Sequence, residues 1–420
     1  MKKYMSFVGT GQLYSARYAH ENRFYDTRVV QEAIASFFEP DEIILFVTDK
    51  AAEINLSVVS SAVSSRKVTV VSIPDGVSES DFWNIFSIIA LQVEKDDEIL
   101  IDITHAFRFL PLLAFLTALY IREVTGGTDI RILYGAYEAG EDVTDPDGNT
   151  RKLSPILDLT SCITLVDWLL AVRSFVSFAD ARGIRDRIRM AEGVHLSSEE
   201  GRDQIIPTDT PLLSLSGNLS RFTTAVQLAR PLESTSSAFA VLRDLPRAKE
   251  EIMGRFPPLG QVFDRIHGLE EFAAPEHGTS CRDYLQKQKA IINYQVQNGF
   301  YLQAAEMARE WMVSAVICIA GDGSLLLSEN VRNDAEDALR TLVLKKRRKK
   351  YKSDPYVRRL EKLEGWEELA TIWSTITPIR NDLAHCGMNS DPIPVEMLEW
   401  KILAIPDHLQ RFWTVLISKG

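Results

Sequence analysis

Two residues near the C-terminus, Arg380 and His385, have the types and spacing that RNA cleavage without a metal requires. Arginine is a permanent cation, and histidine exchanges a proton near neutral pH. The cation holds the scissile phosphate, while the imidazole moves a proton at the 2′-hydroxyl or the leaving oxygen. Asn381 stands beside the arginine and can orient it or donate a hydrogen bond. An R-x4-H pattern also arises by chance, so an exposed arginine and a helix-end histidine are the alternative.

The residues around this pair predict a short helix. Thr377 is a suitable N-cap, Pro378 fits the first helical position, and Gly387 can end the helix. Residues five apart on a helix point about 140° away from one another. Arg380 and His385 of one chain therefore do not converge naturally. A composite site made by two chains relaxes this problem, so we expect the monomer to be poorly active.

The composition is that of a globular protein with two or three domains. The chain has 420 residues, of which 45% are hydrophobic and 25% are charged. Its four cysteines are scattered without a C-x-x-C pair, which favours a reducing cytoplasm and predicts no metal site. The N-terminal residues lack a signal-peptide apolar region, and the apolar run at 109–121 is too short to span a bilayer. We therefore expect a cytoplasmic protein without a membrane partner.

Charge divides the chain into two unlike parts. Residues 1–180 hold 15 Lys and Arg against 26 Asp and Glu, whereas the remaining residues hold 32 of each. The negative charge of the first part disfavours binding of long nucleic acid through its general field. In the second part, residues 345–350 are six consecutive cations. They either complement the C-terminal dipole of a helix or guide RNA toward the Arg380 site.

The first 180 residues alternate strand-like and helix-like segments, which predicts an α/β Rossmann-like domain with a parallel sheet and helices on both faces. The predicted strands are 4–8, 42–48, 68–73, 98–103 and 130–136, with 155–159 as an added edge strand. The predicted helices are 27–38, 51–64, 80–93 and 107–123.

Beyond residue 180 helical patterns dominate, so we expect an all-α remainder. The predicted helices there are 184–191, 212–228, 236–253, 281–296, 301–320, 335–351, 365–375 and 395–418. Proline and glycine breaks between them favour a division into three parts. We predict a ligand-binding domain at 1–180, a helical linker at 181–275 and a compact helical domain at 276–420.

In a parallel α/β sheet, ligands bind beyond the carboxyl ends of the strands. Small and hydroxyl residues there let a ligand approach the backbone, and helix N-termini present free N–H groups to anions. Lys50 and Arg108 add positive charge for phosphates. The residues that we expect to line this crevice are Gly9, Thr10, Gly11, Thr48, Asp49, Lys50, Asp102, Thr104, His105, Ala106 and Arg108.

A dinucleotide site is the obvious competitor for this crevice. Gly9 and Gly11 begin a G-x-G-x-x-G pattern, but Tyr14 stands where the third glycine belongs. The acidic residue expected on the second strand comes too late, at Asp49. The pattern therefore disfavours NAD or FAD, and we expect no cofactor. A tight turn remains a sufficient explanation for the two glycines, as helix capping does for Asp102.

Three pieces of the chain resemble one family, the CRISPR-associated CARF–HEPN ribonucleases of type III systems, known as Csx/Csm-type effectors. Residues 6–11, followed by Tyr14 and by 25–27, resemble the start of the family's DxTHG-motif subgroup. Asp102-x-Thr104-His105 matches the motif that names this subgroup, and Arg380-x4-His385 matches the HEPN catalytic motif.

The segment 301–311 also resembles the helix that packs against the catalytic one. Residues 181–275 hold no motif that we can place. Ala106 departs from the subgroup, which has glycine at that position, and its methyl group changes the space and backbone freedom at the ligand site.

The resemblance implies a mechanism. A CARF domain at 1–180 would dimerise and bind a cyclic oligoadenylate, for which cyclic tetra-adenylate is our expectation, across its two-fold axis. Binding would shift a paired HEPN domain at 276–420 into its active state. Single-stranded RNA would then be cut without a metal, leaving a 2′,3′-cyclic phosphate and a 5′-hydroxyl. Arg380, Asn381 and His385 would be the catalytic residues of this homodimer or higher homo-oligomer, which would act in antiviral defence.

Two alternatives stay open at this stage. The protein could be a non-catalytic sensor whose helical domain binds a partner. The CARF domain could also degrade its own cyclic ligand, alone or as a timer for the ribonuclease. Ring size, RNA base preference and assembly beyond a dimer are not determined by the sequence.

Overall fold

A computed structural model of the chain describes residues 1–105, 109–144, 150–193, 210–352 and 354–418. Ala106 and Arg108, two of the predicted ligand-binding residues, lie outside the described residues. The chain forms two compact units, Met1–Val166 and Asp167–Gly420.

The first unit contains a nine-stranded sheet. Its strands are β1 (Lys2–Phe7), β2 (Ala16–His20), β3 (Arg23–Thr27), β4 (Glu42–Val47), β5 (Lys67–Ser72), β6 (Glu98–Asp102), β7 (Asp129–Gly135), β8 (Glu141–Thr144) and β9 (Thr150–Asp158). Its helices are α1 (Val30–Phe38), α2 (Asp49–Ala51), α3 (Ser57–Ala62), α4 (Glu79–Ala90) and α5 (Leu110–Thr125). A π-helical segment, Ala52–Leu56, joins α2 to α3.

The strand order is β3-β2-β9-β7-β6-β1-β4-β5, with β8 paired to β9. The run from β7 to β5 is parallel throughout, which confirms the predicted Rossmann-like α/β core. The remaining strands form an extension that is partly antiparallel and that includes β2 and β3, which the sequence did not predict. The predicted edge position of 155–159 is wrong, because β9 lies between β7 and β2.

Alternate residues of the central strands face two separate cores. In β4, Ile43 and Leu45 join the core under α1 and α3, whereas Ile44 and Phe46 join the core under α4 and α5. All six residues of β4 are buried, as expected for a parallel strand covered on both faces. Helices on both faces of the sheet are therefore confirmed.

The regular secondary structure of the second unit is helical, without a strand among its described residues, which confirms the predicted all-α remainder. Helix α6 (Ser161–Phe178) leads into it from the first unit. The other helices are α7 (Arg182–Ala191), α8 (Pro211–Gln227), α9 (Pro231–Arg255), α10 (Leu259–Phe263), α11 (Cys281–Gln297), α12 (Tyr301–Ala320), α13 (Glu329–Lys346), α14 (Pro355–Leu360), α15 (Trp366–Ala384), α16 (Val395–Leu403) and α17 (Ile405–Ile417).

Helix α12 is the central helix of the second unit. It packs against α11, α13, α15 and α17, and eleven of its residues are buried. Trp311 is 1% exposed, and its Nε1 donates a hydrogen bond of 2.7 Å to the carbonyl oxygen of Leu285 on α11. Its ring also lies against Phe412 and Trp413 of α17. This packing fixes the face of α12 that meets α15, where the R-x4-H pattern lies.

Helix α6 was not predicted, and the division of the chain into two compact units falls within its sequence, between Val166 and Asp167. Its 18 residues are long and apolar enough to cross a membrane by length and composition alone, and 28% of them are buried in the structure. The predicted boundary at residue 180 falls just after the end of this same helix. The predicted division of the helical part at 275/276 stays a prediction.

Candidate functional site

The turns that leave β1 and β6 touch each other at the carboxyl edge of the sheet. Gly9 follows β1, and a Cβ atom placed on it would lie 3.0 Å from the carbonyl oxygen of His105, which follows β6. This separation is tighter than nine in ten real Cβ contacts. The first turn therefore needs glycine in order to lie directly against the second, and the two predicted segments do form one crevice edge.

Asn55, in the π-helical segment, holds the same glycine loop from the other side. Its Nδ2 donates hydrogen bonds to the carbonyl oxygens of Gly9 (2.8 Å) and Gly11 (2.9 Å). The loop is thus fixed by the protein itself. Sequence analysis missed Asn55 because no motif marks it, and the π-helical turn that aims it at the loop is visible only in the structure.

Asp102, at the end of β6, is completely buried and forms the centre of a hydrogen-bond cluster. One carboxylate oxygen accepts from the hydroxyls of Tyr4 (2.9 Å) and Ser6 (2.7 Å). The other accepts from the backbone N–H (2.9 Å) and the hydroxyl (2.5 Å) of Thr104. Burial, and then the charge of Asp102, raise the pKa of the Tyr4 phenol well above its usual value, so Tyr4 remains a donor. Asp102 organises the turn from inside and does not line the crevice surface.

Thr104 and His105 lie at the mouth of the crevice. The Thr104 hydroxyl accepts a hydrogen bond of 2.7 Å from the N–H of Gly135, which joins the end of β6 to the end of β7. His105 is partly buried, and its Nε2 has no hydrogen-bond partner among the described residues. Burial lowers the pKa of His105, while Asp102 opposes the shift. Burial therefore favours the neutral form of the imidazole.

The turn after β4 offers charge beside this edge. Asp49 and Lys50 are exposed, as a ligand contact requires. Thr48 is 1% exposed, and its hydroxyl accepts a hydrogen bond from the N–H of Ala51. Thr48 thus caps α2 and positions its two charged neighbours.

Thr10 and Gly11 complete the described part of the predicted crevice. Thr10 is partly exposed and Gly11 is exposed, so both are accessible to a ligand.

Two tyrosines and a lysine, Tyr14, Tyr137 and Lys152, contact one another at this edge. The rings of Tyr14 and Tyr137 are stacked with centroids 5.5 Å apart, and Nζ of Lys152 lies 5.0 Å from the Tyr137 centroid. Tyr14 is 51% exposed. Tyr137 follows β7 at its carboxyl end, and Lys152 pairs with Ala16 across β9 and β2. Sequence analysis gave Tyr137 and Lys152 no role, because the unpredicted strand pairing of β2 with β9 brings them to Tyr14.

In the second unit, Arg380, Asn381 and His385 lie at the end of α15. This helix begins at Trp366, so the predicted start at Thr377 and Pro378 is wrong, and Pro378 lies inside the helix. The predicted end is better placed, since Gly387 has a left-handed φ of 66° and its N–H bonds to the carbonyl oxygen of Asp382.

Arg380 is held by two neighbours. Its Nε donates a hydrogen bond of 2.9 Å to a carboxylate oxygen of Glu306 on α12, and its Nη1 donates one of 3.2 Å to Oδ1 of Asn381. The side chains of Arg380 and Glu306 are 30% and 29% exposed. Nε thus anchors the guanidinium while other N–H groups remain for a phosphate. Glu306 was missed because its partner is 74 positions away in the sequence.

His385 is exposed at the C-cap of α15. The loop that follows it is ordered by Asp382, which is 7% exposed and accepts hydrogen bonds from Nδ2 of Asn389 (2.8 Å) and the N–H of Ile393 (3.3 Å). The imidazole therefore sits on a fixed backbone while its ring faces solvent. Asp382 also had no role in the sequence analysis.

The six consecutive cations do not form one helical stripe. Helix α13 ends at Lys346, and Arg348 has a left-handed φ of 55°. Lys345 forms an ion pair with Glu361, and Lys346 bonds to the hydroxyl of Thr371. The four cations at 347–350 are exposed on the turn after α13.

Residues 3–138 match the family model of the CARF domain of the CRISPR system endoribonuclease Csx1. The first unit of this chain is a CARF domain. The match extends from β1 past β7 and contains the Gly9 turn, the Asp102 cluster and His105, so it confirms the resemblance for this part of the chain.

Two further comparisons concern known proteins. The CRISPR-associated protein MJ1674 of Methanocaldococcus jannaschii is 24% identical over 124 residues, which are 29% of this chain. This chain covers only 18% of that relative. A solved structure of Enterococcus italicus Csm6 bound to cyclic hexa-2′-fluoro-hexa-dAMP has a TM-score of 0.47 and 10% sequence identity, and the match covers 99% of this chain and 94% of that chain.

Asp102→Asn tests the cluster at the edge of the CARF domain. The amide replaces one acceptor oxygen with a donor, so two of the four N–H and O–H groups lose their acceptor inside the protein. We expect the free energy of unfolding to fall by about 2 kcal/mol. Urea denaturation followed by circular dichroism measures the change. The exposed Asp129→Asn is the matched control, and an unchanged midpoint for Asp102→Asn would contradict the assignment.

Proposed function

We propose that this protein is a cyclic-oligoadenylate-activated endoribonuclease of type III CRISPR antiviral defence, with a CARF sensor in the first unit and a HEPN ribonuclease domain in the second. The proposal is carried by one pairing: a CARF domain stands in the same chain as the R-x4-H residues Arg380 and His385, which α15 presents at its exposed end. The proposed site of action is the cytoplasm, where both RNA and the second messenger would be met.

The proposed chemistry uses the side chains of Arg380, Asn381 and His385. Arg380 would bind the scissile phosphate and stabilise the charge that develops on it in the transition state. His385 would move a proton at the 2′-hydroxyl or at the leaving 5′-oxygen. Attack of the 2′-oxygen on phosphorus breaks the bond to the 5′-oxygen, which leaves a 2′,3′-cyclic phosphate and a 5′-hydroxyl. Asn381 would steady the guanidinium through the contact that it already makes.

Exposed apolar surface supports a dimer. Leu112, Leu116, Tyr120 and Val124 are spaced by four residues along α5, and each is at least 42% exposed. Such spacing places them on one face of the helix, where burial against a second copy would remove apolar area from water. In the second unit, Trp400 on α16 is 67% exposed. Arg380 and His385 of one chain point about 140° away from one another. A homodimer would supply a second R-x4-H pair, so that the arginine and histidine of one site could come from both chains.

The proposed activator binds at the carboxyl edge of the CARF sheet. A ring of adenylates has repeated, symmetry-related parts, so it fits a site built from two copies of the same residues. The turns at 9–11 and 104–105 would approach the ring through backbone and His105, and Lys50 would attract its phosphates. We propose cyclic tetra-adenylate as the ring, with Ala106 and Arg108 completing the site.

The decisive experiment is cleavage of a fluorescent single-stranded RNA in EDTA, without ligand and with cyclic tetra- or hexa-adenylate. We expect cleavage only with one of the two rings. His385→Ala and Arg380→Ala should each reduce the rate by at least about 100-fold, because each removes a group that acts in the transition state, while ring binding persists.

His267→Ala is the matched control, since His267 is also an exposed histidine of the second unit. Undiminished cleavage by His385→Ala would overturn the catalytic assignment. Wild-type inactivity on all RNAs despite tight ring binding would favour a non-catalytic sensor. Loss of the ring itself during incubation would show that the CARF domain degrades its ligand.

Tyr14 should stack on an adenine of the activator. Because base–aromatic stacking contributes about 1–3 kcal/mol per base, Tyr14→Ala should weaken ring binding by about tenfold or more, whereas Tyr14→Phe should bind like wild type. Isothermal titration calorimetry measures both. Phe24→Ala, an exposed aromatic residue on β3, is the control. Wild-type affinity in Tyr14→Ala would rule out the stacking role.

The exposed cations after α13 should guide RNA. We choose Arg347→Gln with Lys349→Gln and leave Lys345 and Lys346 intact, because those two hold the helix end in place. Each lost phosphate contact lowers the slope of log affinity against log salt by about 0.7 for a single strand, so the double variant should lose about 1.4. Fluorescence anisotropy in a salt series measures the slope. Arg221→Gln with Arg247→Gln is the control pair, and equal slopes would exclude the role.

A further inference from the structure

A cavity of about 540 Å³, open to solvent on one side, lies in the second unit beside α12. Its walls come from the junction of α8 and α9, from α11, from α12 and from the segment that leads into α13. Cavities of about 300–1,000 Å³ are the size at which proteins bind small organic ligands. The function proposed above uses none of this space.

The cavity shares a wall with the proposed catalytic arginine. Glu306 lines the cavity and also accepts the hydrogen bond of 2.9 Å from Nε of Arg380. Only the ion pair of Arg380 with Glu306 would therefore separate the cavity from a phosphate bound by the guanidinium. This separation suits the nucleotide that carries the scissile phosphate.

The cavity combines apolar and acidic surface. Leu232 and Leu327 supply exposed apolar surface, and Met307 and Trp311, which are buried, form part of the wall. Trp311 is fixed by its own hydrogen bond to α11. Such a surface accepts a flat aromatic base. Glu233 and Glu310 also line this space, and a carboxylate can accept hydrogen bonds from the N–H groups of a base.

The two carboxylates differ in their availability. Glu310 is engaged by Arg309 at 2.5 Å and by Arg332 at 2.7 Å. Glu233 lies exposed in the first turn of α9, and its carboxylate has no ion pair or hydrogen bond to another side chain in the described part of the chain. The Glu233 carboxylate is therefore the one of the two that can accept hydrogen bonds from a ligand.

We propose that this cavity is the base subsite for the nucleotide at the scissile phosphate, and that Glu233 selects bases that carry an exocyclic amino group. The inference rests on the ribonuclease function proposed above. Cytosine, adenine and guanine each offer an amino group to a carboxylate. Uracil presents carbonyl oxygens, which the carboxylate repels, and only one ring N–H.

The first experiment measures binding without cleavage, in the full-length His385→Ala protein. The probes are cytidine and uridine 3′-monophosphates, which differ at the C4 amino or carbonyl group and the N3 proton and avoid the adenylate affinity proposed for the CARF domain. Because one good base contact discriminates by about 1–3 kcal/mol, cytidine 3′-monophosphate should bind about tenfold more tightly in saturation-transfer NMR titrations. Glu233→Gln should remove the difference, and Glu250→Gln on the same helix should keep it.

The second experiment places the subsite on the reaction. DNA oligonucleotides with a single ribonucleotide, rC or rU, are offered to the activated wild-type protein. We expect rC to be cleaved about tenfold faster, and Glu233→Gln to bring the ratio close to one.

Equal binding of the two monophosphates, or a preference that survives Glu233→Gln, would overturn the subsite whether or not the protein cuts RNA. Equal cleavage of rC and rU despite selective binding would overturn its placement at the scissile nucleotide. Binding without any cleavage would instead count against the ribonuclease function and leave the base site standing.

Discussion

The buried carboxylate of Asp102 is the interaction on which the sensor edge depends. Through Tyr4, Ser6 and Thr104 it ties β1 to β6, and Thr104 extends the tie to β7 through Gly135. A buried carboxylate is tolerated only when hydrogen bonds replace its lost hydration. A cluster with one of these bonds missing would therefore destabilise the folded protein. The carboxyl ends of three neighbouring strands are therefore held in one register before a ligand arrives.

In the second unit, ion pairs hold the side chains of the candidate site in place. Helix α12 brings Glu306 to Arg380, and one turn later Arg309 pairs with Glu310 and lies 5.5 Å from the ring centroid of Trp373 on α15. These pairs are partly exposed, so their value is more in orientation than in stability. The buried packing of α12 supplies the stability, and the pairs determine where the guanidinium points.

Sequence patterns were sufficient for the parallel core of the sheet, because β4 and its neighbours are continuous apolar runs between turns. They failed for β3, whose Arg-Phe-Tyr-Asp-Thr sequence is mostly exposed and gains strand structure by pairing with β2. They also failed at Pro378, where a strong local start signal is overridden by the burial of Ile376 and Ile379 on the same helix.

The candidate sites divide in the same way. Residues in motifs, such as His105, Arg380 and His385, could be named from their type and spacing. Asn55 and Glu306 could not, because each acts through a contact with a distant part of the chain. Local patterns carry little information about such contacts, which depend on how whole elements pack.

Pro378 inside α15 has a mechanical consequence. Proline has no N–H, so the hydrogen bond that would join residue 378 to the carbonyl of residue 374 is missing from the helix. The backbone is thus weakest just before the segment that carries Arg380, Asn381 and His385. A bend at Pro378 would move all three side chains together, because they follow the bend on the same short segment. Small displacements of the helix tip can change the direction of both the cation and the imidazole without unfolding the buried part of the helix.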